Sequence, residues 1–110
     1  MNAFQFYGAN LYSLDCIKTA KIYKDLFSLS ILVASENHAE LKTESGITVF
    51  IDRPSVHCFV TPGTVTFTVP SLDVDNLDLS PLVLESYFEK GRYASYLDEY
   101  KNRIWIVEKP

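Results

Sequence analysis

Residues 64–73 read TVTFTVPSLD, and about 58 positions earlier residues 6–15 read FYGANLYSLD. Each decapeptide couples an alternating segment to the tripeptide Ser-Leu-Asp. In the later copy Thr64, Thr66 and Thr68 take one face, and Val65, Phe67 and Val69 the other, the period-two pattern of a half-buried strand. In the earlier copy Tyr7, Ala9 and Leu11 oppose Gly8, Asn10 and Tyr12. An Asp just after a strand offers a side-chain acceptor to the unpaired amides of a helix start. A repeated strand-to-helix junction therefore predicts two copies of one architecture.

Working outward, Asp15 precedes a segment in which Ile17, Ala20, Tyr23 and Phe27 recur at helical spacing, with Lys18, Lys21 and Lys24 opposite. A helix over about 16–27 is predicted. SILVASE (30–36) and AELKTE (39–44) read as a hairpin turning at Asn37-His38, and ITVFID (47–52) as a further strand. The prolines and glycine of RPSVHCFVTPG (53–63) mark a linker. After TVTFTV, a short helix starting at Ser71 or Asp73 and running through roughly 72–79 precedes three more strands, LVLESYF (82–88), RYASYL (92–97) and RIWIVE (103–108). The predicted fold is α+β, a single domain of two βαβββ modules. Module one covers about 4–53, the linker about 54–63, and module two about 64–110, with its helix truncated.

Composition narrows the function. Of 110 residues, 47% are hydrophobic and 22% charged, an ordinary globular balance. The net charge of −4 and the scattered Lys and Arg speak against a nucleic-acid partner. No apolar run approaches the ~18 residues needed to cross a bilayer, so no membrane is expected. MNAFQFYGAN lacks a basic region followed by an apolar run, so no signal peptide is expected. Cys16 and Cys58 form no C-x-x-C and no disulfide framework, and a reduced, cytoplasmic protein is expected.

Two motifs carry a family resemblance. Tyr12-Ser13-Asp15 and Ile22-Tyr23-Lys24-Asp25-Leu26-Phe27 resemble a strand, V-S-D and a helix containing F-Y-x-D-x-L-G, with Ser28 where glycine is usual. Asp98-Glu99-Tyr100-Lys101-Asn102-Arg103-Ile104-Trp105-Ile106 resembles D-P-x-G-N-x-I-E-L, keeping the Asp, Asn and Ile and losing the Pro and Gly. With the two-module order, the chain from Phe6 to Glu108 resembles the vicinal oxygen chelate superfamily of glyoxalase, bleomycin-resistance and dioxygenase proteins. The resemblance implies that the modules form a curved mixed sheet around a cleft, with helices on the convex side. It also implies a divalent metal held by His, Gln or Glu from the strands.

The positions implied for those ligands are not ligands here. The first is Gly8, the second Thr64 or Thr66, and the last Trp105. The remaining one falls on ITVFID, whose only acid is Asp52, and one carboxylate does not make a metal site. His38 reads as a turn residue, and His57 beside Cys58 as an unrelated loop pair. Glu85, Glu89, Asp98 and Glu99 read as solvated charges. No metal and no cofactor are expected. If alternation holds, the cleft is lined by Asn10, Tyr12, Thr64, Thr66, Thr68, Arg103 and Trp105, with Gly8 and Val107 beside them. An indole, hydroxyls and a guanidinium suit a small organic ligand. The expected function is metal-independent binding of such a ligand. Two alternatives stand beside it: a metal-dependent isomerase, lyase or dioxygenase with atypical ligands, and an accessory protein-interaction module whose cleft Trp105 fills. Val65, Phe67, Ile104 and Ile106, under a short second helix, would want further cover, so a homodimer is expected.

Overall fold

A computed structural model of the chain describes residues 3–109. It divides into two compact units that part between Thr61 and Pro62. Unit one contains β1 (Gly8–Tyr12), α1 (Cys16–Phe27), β2 (Ser30–Ala34), β3 (His38–Lys42) and β4 (Thr48–Asp52). Unit two contains β5 (Thr64–Val69), β6 (Val83–Phe88), β7 (Tyr93–Leu97) and β8 (Arg103–Glu108). The sheets repeat one topology: β1-β4-β3-β2 and β5-β8-β7-β6. In each, the first strand pairs parallel with the last, and the intervening strands meander antiparallel. Each outer strand carries a bulge at the same place, between Ile31 and Val33 and between Leu84 and Ser86. The two-module α+β architecture expected from the repeat is the observed one.

In unit one, Ala9, Leu11, Ala39, Leu41, Val49 and Ile51 share a sheet face by register. The helix packs against β2, β3 and β4 on this side. Its buried residues are Cys16, Thr19, Ala20 and Tyr23. The stripe is thus rotated from the expected one, and Ile17 is 53% exposed. Ser13 explains the junction. Its buried hydroxyl hydrogen-bonds the Thr19 hydroxyl at 2.8 Å and accepts from the Asp15 amide at 2.8 Å. Asp15 then caps the helix by accepting from the Lys18 amide at 3.2 Å.

The second copy of the junction does not lead to a helix. Truncation is complete: 70–82 is irregular, with turns at 74–76 and 80–81. Asp73 spends its carboxylate on the Asn76 side chain at 2.6 Å, and Asp78 accepts from the Ser80 amide at 2.9 Å. These side chains compete locally with helical bonding, and Pro81 lacks the amide a helix needs. The segment still covers the sheet. Glu108, on the face of Ile104 and Ile106, accepts from the Leu72 amide at 2.8 Å, and Arg92 bridges Glu108, the Leu72 carbonyl and the Tyr87 hydroxyl. Leu72, Leu79 and Leu82 are buried, as are Ile104 and Ile106. The expectation that these isoleucines lack cover is corrected: an irregular loop, pinned by charge-assisted bonds, supplies it.

Candidate functional site

In both units the face away from the core collects the polar and aromatic side chains. On unit one, register places Gly8, Asn10 and Tyr12 beside Thr48, Phe50 and Asp52, and these beside Lys42, Glu40 and His38. Asn10 Nδ2 donates to Asp52 Oδ2 at 2.7 Å. Asp52 Oδ1 lies 2.6 Å from His38 Nδ1, and Glu40 Oε2 lies 2.8 Å from His38 Nε2. The imidazole stacks on Phe50, whose ring meets Tyr7 edge-on. A polar chain Asn10–Asp52–His38–Glu40 therefore crosses three strands. Both carboxylates raise the His38 pKa above the ordinary histidine value, the Glu40 hydrogen bond most.

His38 is not a turn residue. The turn is 35–37, and His38 opens β3, where its carbonyl accepts from the Ser35 amide at 2.7 Å. The sequence signal was available: Asp52 ends a strand antiparallel to the one His38 starts, so the two had to meet once that pairing was known. Beside them lies a pocket of about 380 Å³ lined by Asn37, His38, Asp52, Arg53, Pro54, Ser55 and Cys58. The linker thus brings Cys58 to the same pocket as His38, while the His57 amide donates to Ser55 Oγ at 3.2 Å.

On unit two, Thr64, Thr66 and Thr68 lie in register with Arg103, Trp105 and Val107, and these with Leu97, Ser95 and Tyr93. The three threonines are exposed. Trp105 sits among aromatic neighbours, its ring 5.8 Å from Tyr93 and 6.5 Å from Phe88, which themselves stack at 4.9 Å. Tyr93 therefore joins this face, whereas Tyr96 takes the other and is buried. Arg103 is committed. Its Nε and Nη2 donate to the two oxygens of Glu85 at 2.7 Å each, and Ser95 Oγ donates to Glu85 Oε1 at 2.7 Å. Glu85 is no free surface charge. It occupies the β6 bulge, a device that re-aims a side chain, and the Arg103 guanidinium holds its carboxyl down at about 2.

The donor set does not fit a resident metal. Gly8 pairs with Thr48, and Thr66 with Trp105. A Cβ at Gly8 would overlap the Thr48 carbonyl oxygen, so no side chain fits that position. Asp52 lies four residues along β4 from Thr48, roughly 13 Å at the usual strand rise. Both ring nitrogens of His38 face carboxylates, so His38, Glu40 and Asp52 form a line and do not converge. Among the described residues no three His, Cys, Asp or Glu side chains are grouped to hold a metal ion, and no helix is long and apolar enough to cross a membrane.

No family model and no curated protein matches the chain. Solved structures do. A possible glyoxalase from Bacillus cereus is 14% identical with a TM-score of 0.72, over 96% of this chain and 99% of that one. The fosfomycin resistance protein FosX from Listeria monocytogenes, complexed with manganese(II) and sulfate, is 14% identical with a TM-score of 0.73, over 100% and 93%. A lactoylglutathione lyase from Agrobacterium tumefaciens is 15% identical with a TM-score of 0.71, over 97% and 96%. The chain has the vicinal oxygen chelate fold, and at these identities the likeness is one of fold.

Proposed function

We propose that this chain is a metal-independent binding protein for a small organic molecule, and that its ligand lies against the Trp105 face of unit two. The observation that carries this reading is the aromatic group of Trp105, Tyr93 and Phe88 beside the exposed hydroxyls of Thr64, Thr66 and Thr68. Flat apolar rings edged by hydrogen-bonding groups suit a planar ligand. Arg103, already neutralised by Glu85, is a fixed rim in place of a free anion receptor. On unit one, Asn10 is oriented by Asp52 and shares its sheet face with Tyr12. Residue type within each unit supports metal independence, since Gly8 on β1 and Trp105 on β8 carry no metal-binding side-chain atom, in contrast to the manganese-bound FosX.

The same reading treats the two modules as one domain of a reduced, cytoplasmic protein, consistent with two free cysteines. It takes a homodimer as the working assembly. The support is now the sheet edge, since β2 is exposed at all five residues and presents Ile31, Leu32 and Val33. As the one tryptophan, Trp105 reports binding directly. Titration with planar aromatic compounds should shift its emission and raise the melting temperature, and Trp105→Ala should abolish that rise in melting temperature while the fold is retained. Metal analysis of protein purified without chelator should find no stoichiometric divalent ion. A stoichiometric ion, or no ligand response across a broad aromatic set, overturns the reading.

A further inference from the structure

The geometry around His38 points to a proton-operated clasp on the pocket at the end of β3 and β4. Both ring nitrogens lie within hydrogen-bond distance of a carboxylate oxygen, at 2.6 Å and 2.8 Å. A neutral imidazole has one N–H and one lone pair, so it can satisfy only one of two carboxylates. The other would meet a lone pair at under 3 Å and be driven off. The observed arrangement is therefore that of the imidazolium, donating to Asp52 and to Glu40 at once. Asp52 is the buried partner, its side chain 7% exposed against 37% for His38 and 25% for Glu40.

Protonated His38 joins three strands through side chains alone: β3 through itself and Glu40, β4 through Asp52, and β1 through Asn10. It also sets one wall of the pocket. His38 and Asp52 line it together with Arg53, Ser55 and Cys58 of the linker. One backbone bond ties the start of the linker to the β2–β3 turn, the Arg53 amide on the Asn37 carbonyl at 3.0 Å, while the paired amides and carbonyls of Ser55 and Cys58 close a turn within the linker itself. Loss of the His38 proton releases a carboxylate at this wall, and the pocket loosens where its linker side is least tied. Glu40 from its own strand and Asp52 from β4 meet the ring; Asn10 and Tyr12 of β1 share its sheet face, and Arg53 and Cys58 of the linker line the same pocket, while the helix packs on the opposite face. Because the folded pKa is raised, the stabilisation is fully present below the ordinary histidine value and is lost as pH rises through the folded value. The clasp opens on alkalinisation, independently of whether Trp105 binds a ligand.

The test follows His38 ring nitrogens and backbone amides by NMR across pH, together with alkylation of Cys58 by a small neutral reagent. Cys16 is fully buried, so Cys58 is the reactive thiol. His38 should titrate above the ordinary histidine value of about 6.5, and the Arg53, Ser55 and Cys58 amides should shift with the same midpoint. Alkylation should rise above the curve of a single titrating thiol at that midpoint. Asp52→Asn and Glu40→Gln should each bring the midpoint down, and His38→Gln should remove the extra step. A His38 midpoint at or below the ordinary value, or linker amides that do not move through it, overturns the proposal; the wild-type titration decides even if a variant fails to fold.

Discussion

Ser28 and Lys101 both hold left-handed backbone, at φ 55° and 71°. They stand at the two positions where the motifs they resemble carry glycine, one closing α1 and one in the turn before β8. The left-handed geometry is held here by residues that carry side chains. A side chain in this region costs about 1 kcal/mol relative to glycine, so Ser28→Gly and Lys101→Gly should each raise stability by roughly that much in urea unfolding. The turn holding Lys101 survives because Asp98 accepts from the Tyr100 and Asn102 amides and the Asn102 side chain, and Asn102 accepts from the Gly63 amide at 2.8 Å. Tyr96 is the converse case. Its hydroxyl is buried with no hydrogen-bond partner among the described residues, and burial pushes its pKa up. Tyr96→Phe removes an unsatisfied group and should be neutral or stabilising by about 1 kcal/mol; a loss of stability would show that a water satisfies it. For Glu85 the pKa is lowered, so its contribution is present above the ordinary carboxylate value and fades as pH falls toward about 2. Glu85→Gln should therefore lie below wild type in stability at neutral pH and converge with it in acid.

At the scale of elements, β1 and β4 approach each other unusually closely. With the Thr48 carbonyl where a Cβ would stand, Gly8→Ala must part the strands or tilt one. A cost of about 3 kcal/mol is expected, in the range of severe packing and backbone faults, measurable by thermal unfolding. The same contact leaves no room for a histidine side chain at Gly8. The loop 70–82 stands in for a helix by being tied down at Leu72. Arg92→Ala should free it and increase proteolytic cleavage between β5 and β6, with β8 otherwise intact. The two bulges show how one topology is used twice with different content. Leu32 leaves the β2 bulge apolar and exposed, whereas Glu85 turns the β6 bulge into a clamp on Arg103.

For the whole molecule, assembly is the open quantity that light scattering decides. A homodimer should show twice the chain mass of 12.5 kDa, and Leu32→Lys, which charges the exposed β2 edge, should shift it toward monomer. The elements were legible in the sequence because their causes are local. Alternation marks β5 and β8, helical spacing with the Asp15 cap marks α1, and Ser-Leu-Asp marks the end of the first strand in each module, with a helix following only in the first. The aromatic parity of Trp105 followed from alternation too, with Ile104 and Ile106 turned inward. What lay beyond the sequence was partnership across strands. Asn10, His38, Glu40 and Asp52 sit on three strands, and only antiparallel register brings His38 opposite Asp52. Glu85 meets Arg103 through a bulge, a one-residue shift that leaves no compositional mark. The missing second helix depended on a competition between local turns of Asp73, Asp78 and Pro81 and the sheet beneath them. Sequence by itself determined the two modules, because these rest on residue identity and short-range spacing. Tertiary structure decided which charges are paired and where the pocket lies, because those depend on contacts between residues far apart in the chain.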